Sequence, residues 1–216
     1  MTLDELISGF RMVATASVAD AVDLIAGRRG YVDHAIRPRI NERKIVGPAA
    51  TVLEVATEEF VPPSHAIDLI DEAPSGSVIV IAVQGEANVA VWGGLMTAGA
   101  VANRHEGAVL DGALRDIVEI RRDYDFPVFA RSVSPGTTLG RFKTIASNVP
   151  VTVGGIEIHP GDIMVGDVDG VVAVPRQHAE AILLAAREID LKEAAQAKLI
   201  IEAGSLRDGL AKFGRI

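Results

Sequence analysis

A chain of 216 residues, 49% hydrophobic and 23% charged, has room for one large core and enough apolar content to fill it, so a single domain over residues 1–216 with helical terminal segments is expected. The formal net charge of −8, with no concentrated basic patch to offset it, argues against a surface that neutralises nucleic-acid phosphates. With no cysteine there is no disulfide, thiolate nucleophile or sulfur-ligated zinc, and any metal must sit on oxygen or imidazole.

The first ten residues carry Asp4 and Glu5 and lack a basic stretch ahead of an apolar run, unlike a secretory leader. Strongly apolar runs such as 77–83 fall far short of the roughly 20 residues that span a bilayer, so a cytoplasmic protein without membrane contact is expected. Ser17, with Asp20 three residues on, predicts a capped helix ending near Gly27. Residues 49–56, 78–83, 108–110 and 128–130 are apolar, bounded by Gly, Pro or charge, and read as buried strands. Between them 64–72, 95–104 and 116–123 have helical spacing of apolar residues, with Ser64 placed to cap the first after Pro62 and Pro63. Alternation of this kind predicts βαβ units around a largely parallel sheet.

Past Pro150 the pattern becomes short strands at 151–153, 156–158, 163–166 and 171–174, separated by Gly154, Gly155, Pro160, Gly161 and Gly170, which predicts a β-meander or small barrel-like layer. Residues 176–203 are Ala-rich and charged and predict a long helix stopped by Gly204, with a short one after it. A helix of that length suits packing on a neighbouring copy as well as on its own sheet.

Chemistry concentrates in Gly107-Ala-Val-Leu-Asp-Gly-Ala-Leu-Arg-Asp116, read as a strand ending at Asp111-Gly112 and turning into a helix near Arg115-Asp116. Ligands of open α/β sheets bind outside the carboxyl ends of strands. There Asp116 is suited to hold Mg²⁺ or Mn²⁺ partly through water, and Arg115 to bind a carboxylate or developing enolate. The same pattern also suits a bland role: Asp111 ending a turn, Asp116 favouring a helix N-terminus and Arg115 pairing on the surface. Val91-Trp-Gly-Gly-Leu-Met-Thr97 places Gly93 and Gly94 before a helix of small residues, so that the amides of Gly94, Leu95 and Met96 face an anion, or else the glycines only allow close packing. His34, His65, His105, His159 and His178 are scattered, which gives zinc-hydrolase chemistry little support; His65, in a first helical turn after a strand, is the most interesting of them. Gly166-Asp-Val-Asp-Gly170 reads as a tight turn, and Arg131, Arg141 and Lys143 are candidate contacts for a distal carboxylate or simply solvated cations.

Taken together, Gly93-Gly94-Leu95 before an Ala-rich helix, Val109-Leu-Asp-Gly-Ala-Leu-Arg-Asp116, Gly166-Asp-Val-Asp-Gly-Val-Val-Ala-Val-Pro175 and Ser17-Val-Ala-Asp-Ala21 resemble the family that contains regulator of ribonuclease activity A and the 4-hydroxy-4-methyl-2-oxoglutarate aldolases. The likeness spans most of the chain, and its specific part is the D-G-x-x-R-D element. The resemblance implies a swivelling-type β/β/α fold with a central mostly parallel sheet, a smaller β layer and a long C-terminal helix. It implies homotrimers or homohexamers with active sites between subunits, and Mg²⁺ or Mn²⁺ binding pyruvyl compounds. Enzymatic members use the motif's Arg and final Asp, here Arg115 and Asp116, whereas ribonuclease regulators typically lack that acid. The resemblance therefore implies retro-aldol cleavage of 4-hydroxy-2-keto acids to pyruvate with oxaloacetate decarboxylation, and a non-catalytic regulator that docks on an RNA-processing enzyme as the alternative. Some aldolases place an acid where this chain has Gly94. Asp111, or Glu193 from a neighbouring subunit's long helix, is the candidate for its proton-moving role. No early strand runs into a G-x-G-x-G loop of the kind a methyltransferase needs for its nucleoside cofactor.

Overall fold

The structure, a computed structural model, describes residues 1–214. Helices α1 (Leu3–Arg11) and α2 (Thr15–Ala26) lead into a two-residue strand β1 (Arg37–Pro38) and the long strand β2 (Ile45–Ala56). Then come α3 (Ser64–Glu72), β3 (Val78–Ala82), β4 (Ala90–Trp92), α4 (Gly94–Ala102), β5 (Gly107–Leu114), α5 (Ile117–Asp123) and β6 (Val128–Val133). The second half holds β7 (Phe142–Ser147), β8 (Val151–Val153), β9 (Ile156–Ile158), β10 (Ile163–Asp167) and β11 (Gly170–Val174). A 3-10 turn at Arg176–His178 opens the 25-residue α6 (Ala179–Ala203), and α7 (Leu206–Phe213) follows.

The central sheet runs β1-β6-β5-β3-β2-β10-β11, with β4 added to β5 and β7 to β2. Its middle, β6-β5-β3-β2, is parallel, and β1, β7, β10 and β11 pair antiparallel around it. The sheet nearly closes on itself. Tyr31 bridges Val172 and the Ala173 amide donates to Gly30 O, while a few residues further on Arg37 pairs with Ala130 of β6.

Side-chain alternation along β3 divides the core into two sides. Val78, Val80 and Ala82 pack with Val151, Val153, Ile156 and Ile158 of the separate β8–β9 hairpin, the small second layer. Ile79 and Ile81 point the other way, into a cluster with Leu69 and Ile70 of α3, Ala100 of α4 and Ile120 of α5. Because both faces are covered, all five β3 residues are buried, and a side chain such as Ile79 contributes roughly 2–3 kcal/mol by leaving water. A third cluster joins α1, α2 and α6 to Val165, Val172 and Val174 on the antiparallel end of the sheet. The β/β/α layering and long C-terminal helix expected from the sequence are thus present.

Local details differ from expectation. Ser17 lies inside α2, buried, and caps nothing; the helix starts at Thr15, with extended Ala14 as its N-cap and the Ala14 amide donating to Asp190 of α6. Ser64 is the first residue of α3 rather than its cap, which is Pro63. A capping box does form, at α1, where Thr2 Oγ1 accepts from the Glu5 amide and Glu5 Oε2 from the Thr2 amide. The meander after Pro150 divides: β8–β9 stands apart, but β10 pairs with β2 and extends the central sheet. Strands β1, β4 and β7 are additions to that expectation, and β7 is only half-buried. No helix among the described residues is long and apolar enough to cross a membrane.

Candidate active site

Strand β5 does not stop at Asp111-Gly112; it continues to Leu114, and β4 pairs beside its last residues in parallel, Ala90 with Ala113 and Trp92 with Leu114. The turns that leave these strands, Gly93-Gly94 and Arg115-Asp116, therefore emerge together at the carboxyl edge of the sheet, the edge at which α/β folds bind ligands. Trp92 is buried and stacks on Phe126 with ring centroids 6.2 Å apart. Its Nε1 donates to Thr97 Oγ1 at 2.8 Å, and that hydroxyl donates to Gly93 O at 3.0 Å, fixing the start of α4.

Asp116 holds a left-handed conformation, φ 60 and ψ 35, which Asp tolerates better than most residues. It occupies the N-cap position of α5 but does not cap that helix with its side chain. Instead Oδ2 accepts from the Gly94 amide at 2.9 Å, so the carboxylate caps α4 from across the site, where the helix dipole favours negative charge. Arg115 Nε lies 3.7 Å from the same oxygen, and the two side chains are 42% and 40% exposed, so the pair is weak in itself and open to a ligand. In the first turn of α4 the Leu95 and Met96 amides have no protein acceptor among the described residues, as expected at a helix start. One carboxylate, one guanidinium and two outward-facing amides thus share one edge.

Glycine at 93 is required by proximity. Its φ of −157 is extended backbone open to any residue, but a Cβ there would lie 2.6 Å from Asp116 Oδ2 and 3.1 Å from both Cγ and Nε of Arg115. A Cβ on Gly94 would approach Asp116 no closer than 3.6 Å, ordinary contact, and a longer side chain there would point at this carboxylate. Gly93→Ala is therefore expected to displace the Arg115-Asp116 pair, whereas Gly94→Ala should leave it in place. Crystal structures of the two variants side by side check this, and equal displacement would contradict the steric argument.

The resemblance implies a divalent ion, and Asp116, with its side chain 40% exposed, is the carboxylate at this edge that would hold it. Among the described residues no group of three or more His, Asp or Glu is arranged to hold a metal, so an ion here would have Asp116 as its protein carboxylate and take its other oxygens from water and substrate. Mg²⁺ and Mn²⁺ accept such a shell.

Next to the two turns lies a cavity of about 470 Å³, whose lining includes Gly93, Gly94 and Arg115 and, from α3 and the loop before β7, Ile67, Asp71 and Leu139. These wall residues were not legible as site residues, because nothing in their local pattern marks them; tertiary packing brings them there.

The remaining candidates lie elsewhere. Asp111 is 4% exposed and faces the β8–β9 layer. Its Oδ1 accepts from Arg131 Nε at 2.8 Å and from Nη2, and its Oδ2 from the Gly154 amide at 3.2 Å. Each of these contacts ties strands and hairpin together. Glu193, on α6, lines a different cleft with Asp20, Leu24, Lys192 and Phe213. His65 sits in the first turn of α3 with Nδ1 3.2 Å from Thr144 Oγ1. Arg141 donates to the carbonyls of Thr137 and Leu139, and Lys143 pairs with Glu59. At Gly166–Gly170 the Asp167 carboxylate accepts from the Asp169 amide and the Thr15 hydroxyl, which makes this stretch the tight turn expected of it.

A nearly closed α/β sheet with a second small β layer and two turns meeting at its carboxyl edge defines the class as an α/β protein with a candidate site at that edge. More particularly, the chain belongs to the RraA-like family: the family model described as Aldolase/RraA matches residues 15–173. A Halalkalibacterium halodurans protein named "Putative 4-hydroxy-4-methyl-2-oxoglutarate aldolase" is 33% identical over 199 residues, covering 91% of this chain and 89% of that one. The crystal structure of an uncharacterized protein from Pseudomonas syringae pv. tomato matches with a TM-score of 0.87 at 33% identity, over 98% of this chain and 95% of the other. Streptomyces coelicolor RraAS2, described as an unusual member of the RNase ES inhibitor RraA protein family, matches at 0.79 with 25% identity, over 89% and 96% of the two chains.

Proposed function

We propose that the chain is a metal-dependent carbon–carbon lyase that cleaves 4-hydroxy-2-keto acids of the 4-hydroxy-4-methyl-2-oxoglutarate type to pyruvate and also decarboxylates oxaloacetate. The observation that carries this reading is the convergence of Asp116, Arg115 and the free first-turn amides of α4 at one sheet edge. The aldolase name of a relative similar along nine-tenths of the chain supports it.

A bound Mg²⁺ or Mn²⁺, held by Asp116, would supply Lewis-acid polarisation of the 2-keto oxygen. The Leu95 and Met96 amides receive the substrate's 1-carboxylate at the helix N-terminus. As the C4 hydroxyl gives its proton to solvent, which later returns one to C3, the C3–C4 bond breaks, a carbonyl forms at C4 and the bonding pair moves into the pyruvate enolate. Arg115 stabilises the charge that develops on the enolate oxygen, a contact stronger in the transition state than in the ground state. Protonation at C3 completes pyruvate. Loss of CO₂ from oxaloacetate leaves the same enolate, so one site serves both reactions. Asp111 is left out of the proton transfers because Arg131 and Gly154 occupy it. Glu193 lines another cleft of its own chain and serves this site only from a neighbouring copy, in the homotrimer or homohexamer that the resemblance implies.

The test is pyruvate release from a panel of 4-hydroxy-2-keto acids and from oxaloacetate, after chelation and then with Mg²⁺ or Mn²⁺ restored. Metal-restored release is expected from both substrate types. Release from none of them would overturn the lyase in favour of a regulator of an RNA-processing enzyme.

A further inference from the structure

We infer that Arg141 is the residue that selects a second carboxylate on the substrate. This rests on the lyase reading above and concerns the cavity of about 470 Å³ that adjoins Arg115 and the start of α4. With the keto-acid end held by those groups, the distal carboxylate of a 4-hydroxy-2-keto dicarboxylate meets the loop before β7, which supplies Thr137, Thr138 and Leu139 to the lining.

That loop is tied down by its backbone. The Ala90 amide donates to Gly136 O at 2.7 Å, and the amides of Arg141 and Phe142 both donate to Thr138 O at 2.8 Å. Arg141 then folds back onto the loop. Its Nη1 donates to Thr137 O at 3.1 Å and to Leu139 O at 3.3 Å, so the guanidinium is held within hydrogen-bond reach of two residues that line the cavity. Nε and Nη2 have no protein acceptor among the described residues, which leaves the two-pronged side of the guanidinium for a carboxylate. The neighbouring cations are engaged: Arg115 serves the reacting end, Arg131 is held by Asp111 and Asp33, and Lys143 is paired with Glu59. Asp71, the carboxylate in the lining, is exposed and accepts from Asn103 Nδ2 at 3.4 Å, so solvent and that amide screen it from a substrate anion.

The experiment has two arms. In the metal-loaded wild type, 2-oxoglutarate and 2-oxopentanoate, which have no C4 hydroxyl and are not cleaved, are compared as competitive inhibitors of oxaloacetate decarboxylation. The dicarboxylate is expected to bind about tenfold tighter, the effect of a forked ion pair at a partly exposed rim. The second arm measures the ratio of kcat/KM for 4-hydroxy-4-methyl-2-oxoglutarate to that for 4-hydroxy-2-oxopentanoate in the wild type, Arg141→Ala and Arg141→Lys. Alanine is expected to lower the ratio about tenfold, chiefly through KM of the dicarboxylate, and lysine to recover part of it. Equal inhibition by the two keto acids, or a ratio that Arg141→Ala leaves unchanged, would overturn the inference while the lyase stands. If the alanine variant fails to fold, the lysine variant decides in its place: a lowered ratio supports the inference and an unchanged one overturns it. Failure of every substrate with the wild type, oxaloacetate included, would remove the lyase and this inference together.

Discussion

Asparagine at position 116 is expected to lower metal-dependent pyruvate release about 1,000-fold while leaving the chain folded. The substitution separates charge from structure. Asn tolerates the left-handed conformation that Asp116 holds, and its amide oxygen can still accept from the Gly94 amide, so the cap on α4 survives. What disappears is the anionic oxygen that would hold the ion, together with part of the favourable interaction with the α4 dipole. That second loss is worth about 1 kcal/mol or less, a shift of roughly 2–4 °C in Tm for a chain of this size. If Asp116 serves only as a cap, the Asn variant keeps both its turnover and its response to Mg²⁺, and the lyase reading loses its central residue. Kinetics with a metal titration, next to a thermal melt of the same preparation, distinguish the two outcomes.

The same residues show how much of the site is local. Gly93-Gly94 and Arg115-Asp116 are legible because they put glycines and charge at the carboxyl ends of strands where helices begin, and their meeting follows from placing two parallel strands side by side. Asp111 stood out for the same reason, yet its partner Arg131 lies one strand away, and no spacing announces that pair. The parallel middle of the sheet was legible in runs such as Val78–Ala82, whose continuous apolarity reflects burial on both faces. β7 was not, since only one of its six residues is fully buried and its pairing runs through an irregularity at Leu53 and Glu54 of β2. Nor was the cavity wall: Ile67 and Leu139 carry no mark of function until α3 and the loop before β7 are brought together.

Beside that irregularity lies a buried carboxyl group. Glu54 is 1% exposed, and neither carboxyl oxygen has a hydrogen-bond partner among the described residues. Across from it is Thr144, whose hydroxyl is engaged by His65 instead. Burial pushes the Glu54 carboxyl from its ordinary 4.5 up to about 8, so the folded chain carries it protonated at neutral pH. Below pH 4.5 the group is protonated in both folded and unfolded chains and contributes no pH dependence. Between there and pH 8 the unfolded chain releases the proton while the folded chain retains it, so stability falls as pH rises, at about 1.4 kcal/mol per unit and by about 5 kcal/mol in all. Glu54→Gln keeps the shape and removes the ionisation. Compared with wild type its Tm should differ little at pH 5 and be higher by at least about 10 °C at pH 8. Every other titrating group is common to both proteins and cancels in the comparison, so a Tm difference that stays constant between the two pH values would show that Glu54 already ionises in the folded state, with a partner or water reaching its carboxylate.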